Sequence, residues 1–172
     1  MEKINHPGGV KMESLNQIIF TLEAMVDAHK RVLELADEKK NVLISGDVKE
    51  LQNLLSRESS AVEKIEHLEE QRMTWVKTYM AEKNVQGQSF TLEVLVAIEK
   101  APAARMTLQS LAKELRDLVQ KISKLNETNQ QLIRTSLSYV QYSIGILVPK
   151  EPTIGYGPKA GKRYSSLLDA KI

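Results

Sequence analysis

His6, His29 and His67 are the side chains best suited to ligate a metal or shuttle a proton, but they lie far apart without a partner at ligand spacing. Glu69 and Glu70 offer adjacent carboxylates, which could serve acid and base roles. They sit, however, in a run with Glu63 and Glu66 that alternates with Lys64 and Arg72, the pattern of a solvated helix face. Gly8-Gly9 is too short to cradle a phosphate, and no Walker-type Lys-Ser/Thr follows it. Asn126-Glu127-Thr128 matches a glycosylation acceptor by chance, since it falls in the middle of a helical pattern. The absence of cysteine removes thiolate ligands, disulfides and a cysteine nucleophile. The expectation is a protein that is not an enzyme, has no metal site and needs no cofactor.

The rest of the composition points toward packing. The chain has 172 residues, 42% of them apolar, enough for about one core. Its 24 basic and 22 acidic residues leave a net charge of +2, so nucleic acid is not an expected partner. Lys159, Lys162, Arg163 and Lys171 near the end are too diluted by acids to change that. No apolar run is long enough to span a bilayer and no secretory leader is evident, so a cytoplasmic protein without membrane insertion is expected.

From Val10 to Ile144 the only glycines and prolines are Gly46, Gly87 and Pro102, and these breakers set out four helices. The first, about 13–44, has a three-four seam of Leu15, Ile18, Leu22, Met25, His29, Val32, Ala36, Lys39 and Leu43, with Ile19, Val26 and Leu33 beside it. Gly46 suits the left-handed residue after a helix, and Asp47 with Glu50 makes a capping box. The second helix, 48–82, is expected to bury Val48, Leu51, Leu55, Val62, Ile65, Val76 and Tyr79, flanked by Leu54, Leu68 and Trp75, with its charges solvated. A short apolar segment within 91–100 reads as a helix over Leu92 to Ile98, although Val94 to Val96 also suit a strand. The last helix, 103–148, repeats Leu108, Leu111, Leu115, Leu118, Ile122, Leu125, Asn129, Leu132, Ser136 and Tyr139. The fold class is therefore all-α: an elongated antiparallel helical bundle of three long helices and one short one. Residues 1–12 are expected to be disordered, translation starting at either Met1 or Met12, and 149–172 to form a flexible tail.

Charge also divides the helices. The first two are acidic and the fourth is basic, which favours packing one against the other. On helix four the seam turns polar at Asn129 and Ser136, where a second row begins: Ile133, Leu137, Val140, Ile144 and Leu147. Either both rows are buried and Asn129 sets the register, or the second row is a groove for a partner helix.

The sequence resembles the FlgN family of flagellar export chaperones over about residues 12 to 172. The likeness rests on Leu15-x-x-Ile18-x-x-x-Leu22, Leu51-Gln52-Asn53-Leu54-Leu55-Ser56-Arg57-Glu58, Asn126-x-x-Asn129-x-x-Leu132-Ile133, Ser136-Leu137-x-Tyr139-Val140 and Tyr156-Gly157-x-x-x-Gly161. The resemblance implies a cytoplasmic type III export chaperone. Such a chaperone binds C-terminal helical segments of the hook-filament junction proteins FlgK and FlgL, prevents their premature association and delivers them to the flagellar export gate. By position, the partner-binding residues would be Asn129, Leu132, Ile133, Leu137, Val140, Ile144 and Leu147. In the tail, Ile154, Tyr156, Tyr164, Leu167 and Leu168 would either dock on the gate or fold back over helix four. A structural coiled-coil protein that self-associates through its seams is the alternative.

Overall fold

The first helix, α1, spans Gly8–Ser45 and ends where Gly46 takes a φ of +72°, a conformation that costs a residue without a Cβ nothing. There the Gly46 N–H bonds to the Val42 carbonyl at 3.0 Å, closing the last turn. One residue later Asp47 caps α2, Val48–Glu82, its carboxylate accepting from the Glu50 N–H at 2.9 Å. So short a turn brings α2 back along α1. Three contacts record the antiparallel register: Ser14 with Glu82 at 2.6 Å, Lys39 with Glu58 at 2.6 Å, and Arg57 with Glu38 at 2.7 Å. Asn84 ends α2 in a left-handed conformation, φ 56°, which asparagine tolerates better than most residues.

Two further helices complete the fold, α3 over Leu92–Ile98 and α4 over Pro102–Leu147. The Val94 to Val96 run is helical because the Thr91 hydroxyl caps it, accepting from the Val94 N–H. Pro102 starts α4 rather than preceding it: its ring fits the first helical position, where no N–H is needed. The computed structural model describes residues 8–85 and 89–147, with side chains from Glu13 onward, and among these there is no strand. The protein is an all-α helical bundle, and the chain divides into two compact units, one up to Leu137 and one from Ser138.

In the first unit Ile18, Leu22, Met25 and Val26 of α1 meet Leu68, Val76, Tyr79 and Met80 of α2, Leu95 of α3, and Leu108, Leu111, Leu115 and Leu118 of α4. α4 runs in the same direction as α1, since Lys30 pairs with Glu114 at 2.9 Å and Ala36 accepts from Asn129 at 2.8 Å. In the first of these pairs the base is on α1 and the acid on α4, opposite to the expectation from net charge. At contact distance the individual pair decides, because solvent screens the summed charge of exposed helices.

Four other expectations are corrected. α1 begins at Gly8, five residues before the expected start and inside the segment expected to be disordered, because nothing after Gly9 interrupts helix until Gly46. On α2 it is Leu54 that is fully buried, while Leu55 is 48% exposed and Val48 and Val62 are exposed as well. Arg72, expected in solvent, is buried, with its guanidinium gripping Glu69 at 2.6 Å through two nitrogens and donating to the Phe90 carbonyl at 2.8 Å. On α1 a third row is buried, Ser14, Thr21, Ala28 and Leu35, at strict seven-residue spacing.

Polar side chains fix the junction from α2 to α4. The Tyr79 hydroxyl donates to Glu99, which is itself buried and also accepts from the Ala101 N–H at 2.6 Å. Lys83 lies 3.9 Å from the same carboxylate and 5.1 Å from the Tyr79 ring centre. Burial alone would favour the protonated acid, but the Tyr79 hydroxyl, the Ala101 N–H and Lys83 outweigh it and hold Glu99 below its usual range. Tyr79 is pushed up, first by burial and then by the adjacent carboxylate.

Candidate partner-binding face on helix four

An α-helix returns to nearly the same azimuth after 18 residues, about five turns. By that rule Ile133 repeats Leu115 and Val140 repeats Ile122, and after about ten turns Ile144 repeats Leu108 and Leu147 repeats Leu111. Ile133, Val140, Ile144 and Leu147 thus share the azimuth of the core residues of α4, whereas Leu137 repeats the exposed Val119. Leu108, Leu111 and Leu115 are buried, whereas Ile133, Leu137, Val140, Ile144 and Leu147 are 46% to 79% exposed. Within the first unit the buried residues of α4 end at Asn129, and Ile133 and Leu137 beyond it are exposed; in the second unit Val140, Ile144 and Leu147 are exposed.

Asn129 stands where the cover ends. It is buried, with Nδ2 bonded to the Ala36 carbonyl, while Oδ1 has no hydrogen-bond partner among the described residues. Leu132, the next member of the expected seam, is half-buried, and Ser136 and Tyr139 after it are exposed. Tyr142 and Ile146 are exposed on other sides of the final turns. Ile154, Tyr156, Tyr164, Leu167 and Leu168 lie outside the described residues, as does His6.

The remaining candidates for chemistry are spread out. His29 is half-buried and donates from Nδ1 to the Met25 carbonyl at 2.7 Å, a bond within its own helix. His67 is exposed on α2, beside a groove of about 520 Å3 between α1 and α2 that includes Phe20, Glu70 and Trp75. Among the described residues no three His, Asp or Glu side chains converge in a way that could hold a metal, and no helix is long and apolar enough to cross a membrane. An arrangement of this kind can bind another apolar surface. Exposed aliphatic groups at three-four spacing offer knobs and holes to a second helix, and little else.

Sequence reasoning missed part of the exposed apolar surface on α2. Val48, Leu55 and Val62 read as core from their apolar spacing, yet all three face out. The available signal was the adjacent pair Leu54-Leu55, only one of which can point inward.

The FlgN protein family matches residues 12–163. The uncharacterized protein YvyG of Bacillus subtilis (strain 168) is 28% identical to the chain, and the alignment spans 92% of this chain and 99% of that protein. No solved structure gives a significant match. With the family matching nearly the whole bundle, the chain belongs to the FlgN protein family, a family of chaperones.

Proposed function

We propose that the protein is a cytoplasmic flagellar export chaperone that binds C-terminal helical segments of the junction proteins FlgK and FlgL. It keeps them from associating early and passes them to the flagellar type III export apparatus. The observation that supports this reading is the set of exposed apolar residues on α4, Ile133, Leu137, Val140, Ile144 and Leu147. An amphipathic helix released from its own assembly needs such a surface. Burial of three or four of these side chains at about 1.5 to 3 kcal/mol each, less the cost of ordering a flexible segment, suffices for roughly micromolar binding. Asn129 and Leu132 form the inner end of the same site, and the tail residues Ile154, Tyr156, Tyr164, Leu167 and Leu168 are proposed to dock on the export gate.

Calorimetric titration with peptides of the two C-terminal segments tests the reading. Val140→Asp and Ile144→Asp should each weaken binding more than tenfold while helix content by circular dichroism stays the same, because neither side chain is buried in the free protein. Unchanged affinity in both variants, or no binding by the wild-type chain, would reject it.

A further inference from the structure

The short helix α3 is held by α2 on one side and α4 on the other. Arg72 of α2 bonds to the Phe90 carbonyl just before α3, and Arg116 of α4 pairs with Glu93 of α3 at 3.1 Å. Leu95 points into the core, while Leu92 and Val96 border Ala112 and Arg116 of α4. α3 thus fills one stretch of the groove between α2 and α4. Glu93 is held below its usual range, first by its own backbone N–H and then, against some desolvation, by the Thr91 hydroxyl and Arg116.

Further along, toward the α1–α2 turn, no described residue of the first unit takes the place of α3. Leu55 and Val62 on α2, and Val119, Ile133 and Leu137 on α4, are all more than 40% exposed. Arg134 follows Arg116 by 18 residues, about five turns, and so repeats its azimuth. On α2 the charge is opposite, since Glu63 and Glu66 are exposed close to Val62 in sequence.

We infer that this vacant stretch of the groove between α2 and α4 is where the partner helix lies, with Leu55 and Val62 as its second wall and Arg134 as its charge reader. The occupant is an amphipathic helix with an apolar seam, an acidic residue set against Arg134 as Glu93 is set against Arg116, and a basic flank toward Glu63 and Glu66. It takes the position in the bundle that α3 takes lower down. The inference rests on the export-chaperone reading but assigns to binding a helix, α2, which that reading leaves out.

The absence of native cysteine allows a direct test. Single-cysteine variants Val62→Cys, Ile133→Cys and Phe20→Cys, each carrying a benzophenone, are mixed with the FlgK or FlgL C-terminal segment and irradiated. Cross-links from positions 62 and 133 but not from 20 are expected. In parallel, Arg134→Glu should weaken binding about fivefold, with the difference vanishing at high salt. Cross-linking from 133 without 62 would overturn the groove while leaving the chaperone reading intact. Failure of the unlabelled wild-type chain to bind either segment would sink both.

Discussion

Asn129 on α4 donates a 2.8 Å hydrogen bond to the Ala36 carbonyl on α1, yet its own Oδ1 is buried and has no partner among the described residues. One half of the amide contributes and the other half costs. A net hydrogen bond is worth about 1 kcal/mol, whereas a buried polar atom without a partner costs about 1 to 3 kcal/mol. The Ala36 carbonyl sits inside α1, where its own helix also offers it a donor. Asn129→Leu, with the same number of side-chain heavy atoms and the same branching at Cγ, should therefore raise the unfolding free energy by about 1 kcal/mol in urea titrations. It should also broaden the amide resonances of α4, because the directional bond that selects one helix register is gone. Loss of stability in that variant would show that the amide is a net contributor.

Tyr79 and Glu99 make stability depend on pH from both sides. Glu99 is held below its usual range in the folded chain, so its contribution is present above the unfolded carboxylate value, about 4.3. That contribution disappears as pH falls through the folded value. Tyr79 is raised, so its contribution is complete below the unfolded phenol value, about 10, and is lost as pH rises beyond that. Chemical denaturation across pH should give a plateau between these limits with a fall on each side. Tyr79→Phe should remove most of the alkaline fall, and Glu99→Gln should flatten the acid one. An unchanged alkaline fall in Tyr79→Phe would place that titration elsewhere.

What could be read directly from the sequence was set by breakers and caps. Gly46, Asp47 and Pro102 carry their own conformational instructions, so the ends of α2 and the start of α4 followed within a residue. Rotational phase was harder to read. On α2 the buried line passes through Arg72, a charged residue whose burial depends on partners distant in sequence, so the apolar pattern breaks at the point where phase has to be decided. On α1 the third buried row is made of Ser14, Thr21 and Ala28 before it reaches Leu35, and small or hydroxylated residues give no hydrophobic signal. The candidate face on α4 was legible as a row of apolar residues. Its exposure depends on where the other helices stop, which spacing along one helix cannot state.

Arg72 ties the segment before α3 to α2. It donates to the Glu69 carboxylate and the Phe90 carbonyl, and truncation would leave that carbonyl without this donor. Because Glu69 is partly solvated, the ion pair itself adds little. Arg72→Ala should cost about 2 kcal/mol overall and speed amide exchange in Leu92–Ile98 more than in α1. Uniform acceleration along the chain would show that Arg72 supports the whole bundle and not this connection alone.

Leu54 and Leu55 are neighbours with opposite surroundings, one fully buried and the other 48% exposed. Leu54→Ala should cost about 2 to 4 kcal/mol, the range for deleting a buried leucine when the site cannot collapse. Leu55→Ala removes the same atoms from a surface that water already reaches, so its effect on the free chain should stay within about 0.5 kcal/mol. Only a bound helix makes Leu55 an interior residue. The same substitution should therefore reduce the extra thermal stability conferred by a saturating FlgK or FlgL segment, although it leaves the free protein unchanged. Comparing melting temperatures of wild type and Leu55→Ala with and without the segment measures that difference. Equal shifts in the two proteins would place Leu55 outside the contact, and a lower melting temperature of the free variant would place it in the core.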